Sequence, residues 1–345
     1  MARNRYDKAR MEGIDAAMSL QRKLNLRERV EGSEKGYVDV FEIIEELEIP
    51  FAFVELDNVL GFCLPHPQSG IVVTTNKKCS HHRQRFTAAH ELGHAIMEHE
   101  GSVDTEILMR GGQTAASGEL KEVEAESFAA ELLLPKWLLV YHMRRQGWTI
   151  ARHMSNPEIV YQLALRVSAS FEATCWSLFG NKLLPNRTTL DELIRAGKRL
   201  STVKKATLTP FDVDVGHGNT WRFSSRDNGG RFSSQVIDLI RVDLEENIGG
   251  GFVWNLGGLE KAGFELKFDG YPETSPDHIG GQSSRRLVLA PPAGHDIELL
   301  LSEQRPWLSK LKPSQVFGIT LDVLGPETAG MSRARRVMLG LDPVV

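Results

Sequence analysis

Apolar residues recur at helical spacing through most of the first 200 positions. In Asp15–Arg29 and Val38–Leu47 they fall three and four apart, so each stretch is expected to form an amphipathic helix. Phe51–Leu56 and Gly70–Thr75 are short β-rich runs and predict strands, with a Pro-His-Pro-Gln-Ser-Gly turn between Leu64 and Ile71. Two longer helices are expected over Arg83–Glu100 and Glu119–Leu134. Pro135 stops the second, because it lacks a backbone donor. Gly111–Gly118 between them is small and polar and reads as a loop, and helical spacing returns over Pro157–Leu184.

After about residue 200 the period drops from 3.6 to 2. Ile240, Val242 and Leu244 alternate with Arg241, Asp243 and Glu245. Phe264, Leu266 and Phe268 alternate with Glu265, Lys267 and Asp269, and Phe317, Ile319, Leu321 and Val323 with Gly318, Thr320 and Asp322. Each run predicts a strand with one face in a core and one in water. With Arg286–Leu289 and Ile297–Leu301 they predict a small antiparallel sandwich. The expected organisation is α+β: a mostly helical domain over 1–200 with a small sheet, a polar linker over 201–231, an all-β sandwich over 232–330 and a tail over 331–345.

Length and composition add bounds. A chain of 345 residues fits two or three domains. A net charge of -4 gives no electrostatic case for wholesale binding to nucleic acid or a membrane. No apolar run approaches the roughly 18 residues that a span needs. Cys63, Cys79 and Cys175 are scattered and odd in number, which predicts reduced thiols and a cytoplasmic location. The basic run Arg333, Arg335, Arg336 reads as a solvated tail.

The candidate chemistry sits in the helix at 83–100. His90, Glu91, Leu92, Gly93 and His94 form a His-Glu-x-x-His pattern. Residues four apart on a helix project about 40° apart, so both imidazoles leave one face and can share a Zn²⁺ ion. Glu91 lies about 100° round, placed to act as general base: it takes a proton from water and passes it to a leaving amine. The alternative is a helix with ordinary histidines. A catalytic zinc site needs a third protein ligand. In the following helix Ala125, Phe128, Ala129, Leu132 and Leu133 define the buried stripe. Glu122 lies about 60° from its centre, nearer than Glu124, Glu126 or Glu131, and is the expected ligand. Its alternative role is a helix N-terminal acid favoured by the macrodipole. Glu126 is a candidate to orient a ligand histidine. Tyr141, His142 and His153 are candidates for an electrophilic partner, and His99 for a surface, capping or supporting role.

The block Arg83–His99 followed by Glu122–Pro135 closely resembles the ImmA/IrrE family of zinc metallopeptidases. The resemblance runs over roughly residues 10–185 and takes in Gly70–Asn76 and Leu163–Leu184. It implies that His90, His94 and Glu122 bind zinc, that Glu126 stands where the family usually has Asn or Asp, and that the substrate is a protein such as a helix-turn-helix transcriptional repressor.

Residues 232–325 resemble the chagasin-like inhibitors of papain-type cysteine proteases, which have an immunoglobulin-like fold. Three loops carry that resemblance: Glu246–Trp254, matching at Asn247, Gly251, Phe252 and Trp254; Ile279–Gln282 with Gly280 and Gly281; and Arg305, Pro306, Trp307. Ile248, Gly249 and Gly250 replace the family's Pro-Thr-Thr. Trp and Arg are favoured interface anchors and glycine permits close approach, so these loops are candidates for partner binding. Trp254 is expected in the core and Trp307 at the surface. The rival functions are a non-catalytic regulatory binding protein and an inhibitor of a papain-like protease.

Overall fold

The computed structural model describes residues 2–32, 35–54, 60–64, 70–74, 81–99, 103–104, 118–209, 218–271, 283–308 and 312–324. The chain opens with α1 (Ala2–Lys23), α2 (Leu26–Gly32) and α3 (Val40–Glu46), the last capped by the Asp39 carboxylate. A small sheet follows, from β1 (Phe51–Val54), β2 (Gly61–Leu64) and β3 (Gly70–Thr74). Helix α4 (His81–Ile96), strand β4 (Val103–Asp104) and helix α5 (Gly118–Leu133) complete the layer that matters for the site. The sheet order is β1-β3-β2-β4, with β1 and β3 parallel.

Six helices follow: α6 (Lys136–Gln146), α7 (Ile150–His153), α8 (Pro157–Arg166), α9 (Phe171–Gly180), α10 (Arg187–Gly197) and α11 (Leu200–Leu208). The helical region expected over Pro157–Leu184 is thus two helices. They are broken at Ser168, whose backbone is left-handed (φ 54°), and α9 restarts on the Ser170 cap. Helix α1 packs so closely on α5 that a Cβ at Gly13 would lie 2.1 Å from the Glu124 carbonyl oxygen.

The sandwich comprises β5 (Thr220–Ser224), β6 (Arg231–Gln235), β7 (Leu239–Glu246), β8 (Val253–Asn255), α12 (Gly257–Lys261), β9 (Glu265–Gly270), β10 (Ser283–Ala290), β11 (Gly294–Gln304) and β12 (Gln315–Leu324). Its sheets run β5-β7-β10-β9 and β6-β12-β11-β8.

Four expectations need correction. The stretch 201–231 is not simply a linker. It holds most of α11, all of β5 and a 3-10 turn at Ser225–Asp227, and Trp221 and Phe223 of β5 are buried. Some of its polar residues, Thr220 and Asp227 among them, are buried in the contact between the two parts, which a composition reading takes for solvent exposure. Consequently the sandwich is not purely antiparallel, since β5 pairs parallel with β7 and β6 parallel with β12. The outer face of β7 does not meet water at Arg241. That guanidinium is buried and donates to the Thr207 carbonyl of α11, while Leu208, Leu239 and Val288 form a small apolar cluster there. Conversely, Leu266 is exposed, because β9 is an edge strand whose register shifts opposite Val288 and Leu289.

The junction between the parts is dry and polar at its centre. Arg166 of α8 donates to Asp227 at 2.9 Å, and both side chains are almost wholly buried. Gln146 donates to the same carboxylate at 2.7 Å, and the Arg166 guanidinium also lies beside the rings of Trp148, Phe223 and Phe232. The Tyr161 hydroxyl accepts from Thr220 N–H, and the Gln162 amide donates to the Thr220 carbonyl. One continuous apolar cluster runs from Ala17 of α1 to Val323 of β12.

Candidate metal centre

Helix α4 is buried along most of its length. Ala88, Ala89 and Leu92 are in the core, and His90, Glu91 and His94 have almost no exposed surface. Gly93 lies between the histidines for a steric reason: a Cβ there would sit 3.0 Å from the Phe128 ring and 3.2 Å from the Ala125 Cα. The close approach of α4 to α5 brings Glu122 to both imidazoles.

His90 Nε2 lies 3.2 Å from Glu122 Oε2, His94 Nε2 lies 3.5 Å from Glu122 Oε1, and the two Nε2 atoms are 3.0 Å apart. Four-coordinate zinc with ligands at about 2.0–2.1 Å has tetrahedral edges of about 3.3 Å, so one ion fits among these three atoms. Two imidazole nitrogens and one carboxylate are also the donor types that such an ion takes. Burial pushes the Glu122 carboxyl up, but hydrogen bonds and charge attraction from His90 and His94 outweigh it and hold it well below the usual carboxylate range.

Glu91 is adjacent in sequence and equally buried. Strand β2 crosses it closely: a Cβ at Gly61 would lie 2.5 Å from the Thr87 methyl and 3.4 Å from Glu91 Cγ. Cys63 on the same strand has its thiol pushed up to about 11, first by burial and then by the Glu91 charge. Cys63 and Cys175 are buried free thiols, and Cys79 lies outside the described residues.

The orienting group is one that helical phase does not reveal. Helix α4 ends in a Schellman turn: Glu98 adopts the left-handed conformation (φ 54°), and His99 N–H donates to the His94 carbonyl at 3.0 Å. The turn folds His99 back under His94, with their Nδ1 atoms 2.9 Å apart, and His99 Nε2 lies 2.8 Å from Glu124 Oε2. With His99 donating to Glu124 and His94 donating to His99, the lone pair of His94 is fixed on Nε2, toward Glu122 and His90. Burial, then the neighbouring His94 and Lys121, lowers His99 to about 4 and keeps it neutral. Glu126 lines a groove with Arg10, His82 and Arg83. The sequence signal for Glu124 and His99 was only their proximity to the two motifs.

The three electrophile candidates are held elsewhere. His142 is buried against Gly36 with its Nε2 at that residue's carbonyl, Tyr141 accepts from Arg145, and the His153 ring receives the Thr149 N–H.

In the sandwich, two of the three candidate loops meet. The Asn247 side chain accepts from Gly250 N–H, and Arg305 donates to the Gly250 carbonyl at 3.0 Å while stacking on Phe252. Gly251 is left-handed (φ 74°), and a Cβ there would lie 2.5 Å from the Trp307 ring. Pro306 opens a 3-10 turn that leaves Trp307 68% exposed, whereas Trp254 is buried with its indole N–H on the Glu245 carbonyl. The buried Glu303 carboxylate anchors the loop by accepting Asn247 N–H. Gly280 and Gly281 lie outside the described residues, as does the 331–345 tail.

No helix among the described residues is long and apolar enough to cross a membrane. No curated protein matches the chain. One solved structure with a match is a cysteine protease inhibitor from Entamoeba histolytica, 21% identical, with a TM-score of 0.27, covering 31% of this chain and 98% of that one. Residues 48–179, which contain α4, α5 and all three donor side chains, match the IrrE N-terminal-like domain. That segment of the chain is therefore similar to a domain of the metallopeptidase type.

Proposed function

We propose that the protein is a zinc-dependent endopeptidase with His90, His94 and Glu122 as ligands and Glu91 as general base. The observation that carries this reading is the convergence of three donor atoms, all within 4.8 Å of one another, beside a buried glutamate. When bound, the ion supplies Lewis acidity to the scissile carbonyl and lowers the pKa of water. Glu91 accepts the proton of the attacking water on its carboxylate and returns it to the leaving amine. His99 and Glu124 hold His94 in the tautomer that presents Nε2. The substrate is a protein; the ImmA/IrrE resemblance favours a helix-turn-helix repressor, in the cytoplasm. The sandwich tip around Trp307 serves as a docking surface for a protein partner, supported by a loop pinned through Glu303 and an exposed indole. Inhibition of a papain-like protease is the rival role for that tip, and titration of such enzymes with the whole chain separates the two.

The Glu91→Gln variant tests the enzyme reading. It is expected to bind one equivalent of zinc, to lose cleavage, and to trap its substrate for identification. Cleavage at the wild-type rate would remove Glu91 from the mechanism, and a chain that binds no zinc would remove the enzyme reading altogether.

A further inference from the structure

A second concave site lies beside the metal-binding helices. Among the described residues, a cavity of about 960 Å³ opens between α1, α4, α5 and α9, and none of His90, Glu91, His94 or Glu122 lines it. Its volume is at the upper end of the range for small-molecule sites, about 300–1,000 Å³. Leu133, Leu134, Ala173 and Trp176 give it an apolar lining, and Trp176 is 46% exposed there. The Arg187 guanidinium lies 5.1 Å from the centroid of that indole, and a half-exposed ring in a concave apolar wall is the kind of surface that ligands cover.

The charged lining has a sign. Arg85 is buried, yet among the described residues it donates only to the Ser168 and Val38 carbonyls and lies over the Tyr37 ring. The carboxylate that acts on it, Asp39, does so through space and is committed to capping α3. Burying a guanidinium without an adjacent carboxylate is costly, and an incoming anion offsets that cost. Arg10, exposed on the α1 side, forms no ion pair among the described residues, and Arg83 adds a third guanidinium. Two acids face them. Glu126 is one, and burial pushes the other, Glu131, up to about 7, which weakens its repulsion of an anion near neutral pH.

We propose that this cavity binds an amphipathic organic anion, a medium-chain carboxylate whose head is held by Arg85 and Arg10 and whose body covers Trp176, Leu133 and Leu134. The site does not depend on the peptidase reading, because it shares no residue with the metal centre.

The test is a calorimetric titration of the full chain with sodium dodecanoate below its micelle concentration, beside dodecyltrimethylammonium as the charge-reversed probe. One saturable site is expected, with dodecanoate about tenfold or more tighter, the scale of one charge-assisted hydrogen bond. Arg10→Glu, at an exposed position, should weaken dodecanoate by about threefold while leaving the ammonium probe unweakened. Ala173→Trp, which fills the cavity, should abolish binding. Equal affinity for the two probes, non-saturable uptake, or unchanged dodecanoate binding in Arg10→Glu would each overturn the proposal.

Discussion

The two parts of the molecule bury polar groups on opposite plans. At the candidate metal centre ligand-type atoms converge on one point: His90 Nε2 and His94 Nε2 stand 3.0 Å apart, with the Glu122 carboxylate closing the triangle. At the junction and in the sandwich, charge meets its complement. Arg166 holds Asp227; Glu246 accepts from Arg285, Tyr271 and Trp254 N–H; Glu303 accepts from Asn247 N–H and Ser314. The first arrangement has the form that a bound cation would complete, and the second is complete within the chain. Burial of polar side chains alone therefore does not mark a candidate site; the convergence of ligand-type atoms on one point does.

The contrast can be broken from the matched side first. Asp227→Ala leaves Arg166 buried without its partner, and the expected loss is about 3–5 kcal/mol of stability in denaturant unfolding. A well-packed Arg166→Met, Asp227→Leu pair should recover most of that loss, which would show that matching, rather than charge, is what the junction needs.

The unmatched side should respond to metal. Zinc at about a thousandfold above its Kd is expected to add about 4 kcal/mol, read as a higher unfolding temperature that chelator reverses. His90→Ala should abolish the increment. An identical increment in that variant would mean that the ion binds elsewhere.

His99→Ala sharpens the distinction, since it alters no ligand. Metal affinity should fall about 10–100-fold, the usual effect of losing the group that orients a ligand histidine. The secondary structure, read by circular dichroism, should stay as in the wild type.

The last test is at Glu131, whose carboxyl is raised to about 7 by burial. The folded state then holds its proton more tightly than the unfolded chain, whose glutamates titrate near about 4.3. Stability should therefore fall as pH rises from about 4.5 to 7, and Glu131→Gln should flatten the profile over that window. An unchanged slope would place the carboxylate in water.

Most of the metal centre was legible because it rests on helical phase. A four-residue spacing places His90 and His94 together, and the buried stripe of α5 turns Glu122 inward. His99 was not legible, because it reaches His94 through the left-handed backbone at Glu98, a conformation that no periodicity announces. The strands at 240–244 and 317–323 followed from alternation, and their inward residues are buried. What alternation could not supply was the cover on the outer face of β7: Arg241 looked solvent-facing until α11 placed the Thr207 carbonyl over it. The same limit explains 201–231, where Thr220 and Asp227 bind the helical part of the protein instead of water. Trp254 and Trp307 divide as expected, one in the core and one at the surface.

The apolar cluster that runs without interruption from α1 to β12 has a mechanical consequence. Among the described residues it leaves no thin neck about which the sandwich could swing. Were a partner to dock at Trp307 as proposed, it would be held as a workpiece in a jig, at one set bearing to the helical part.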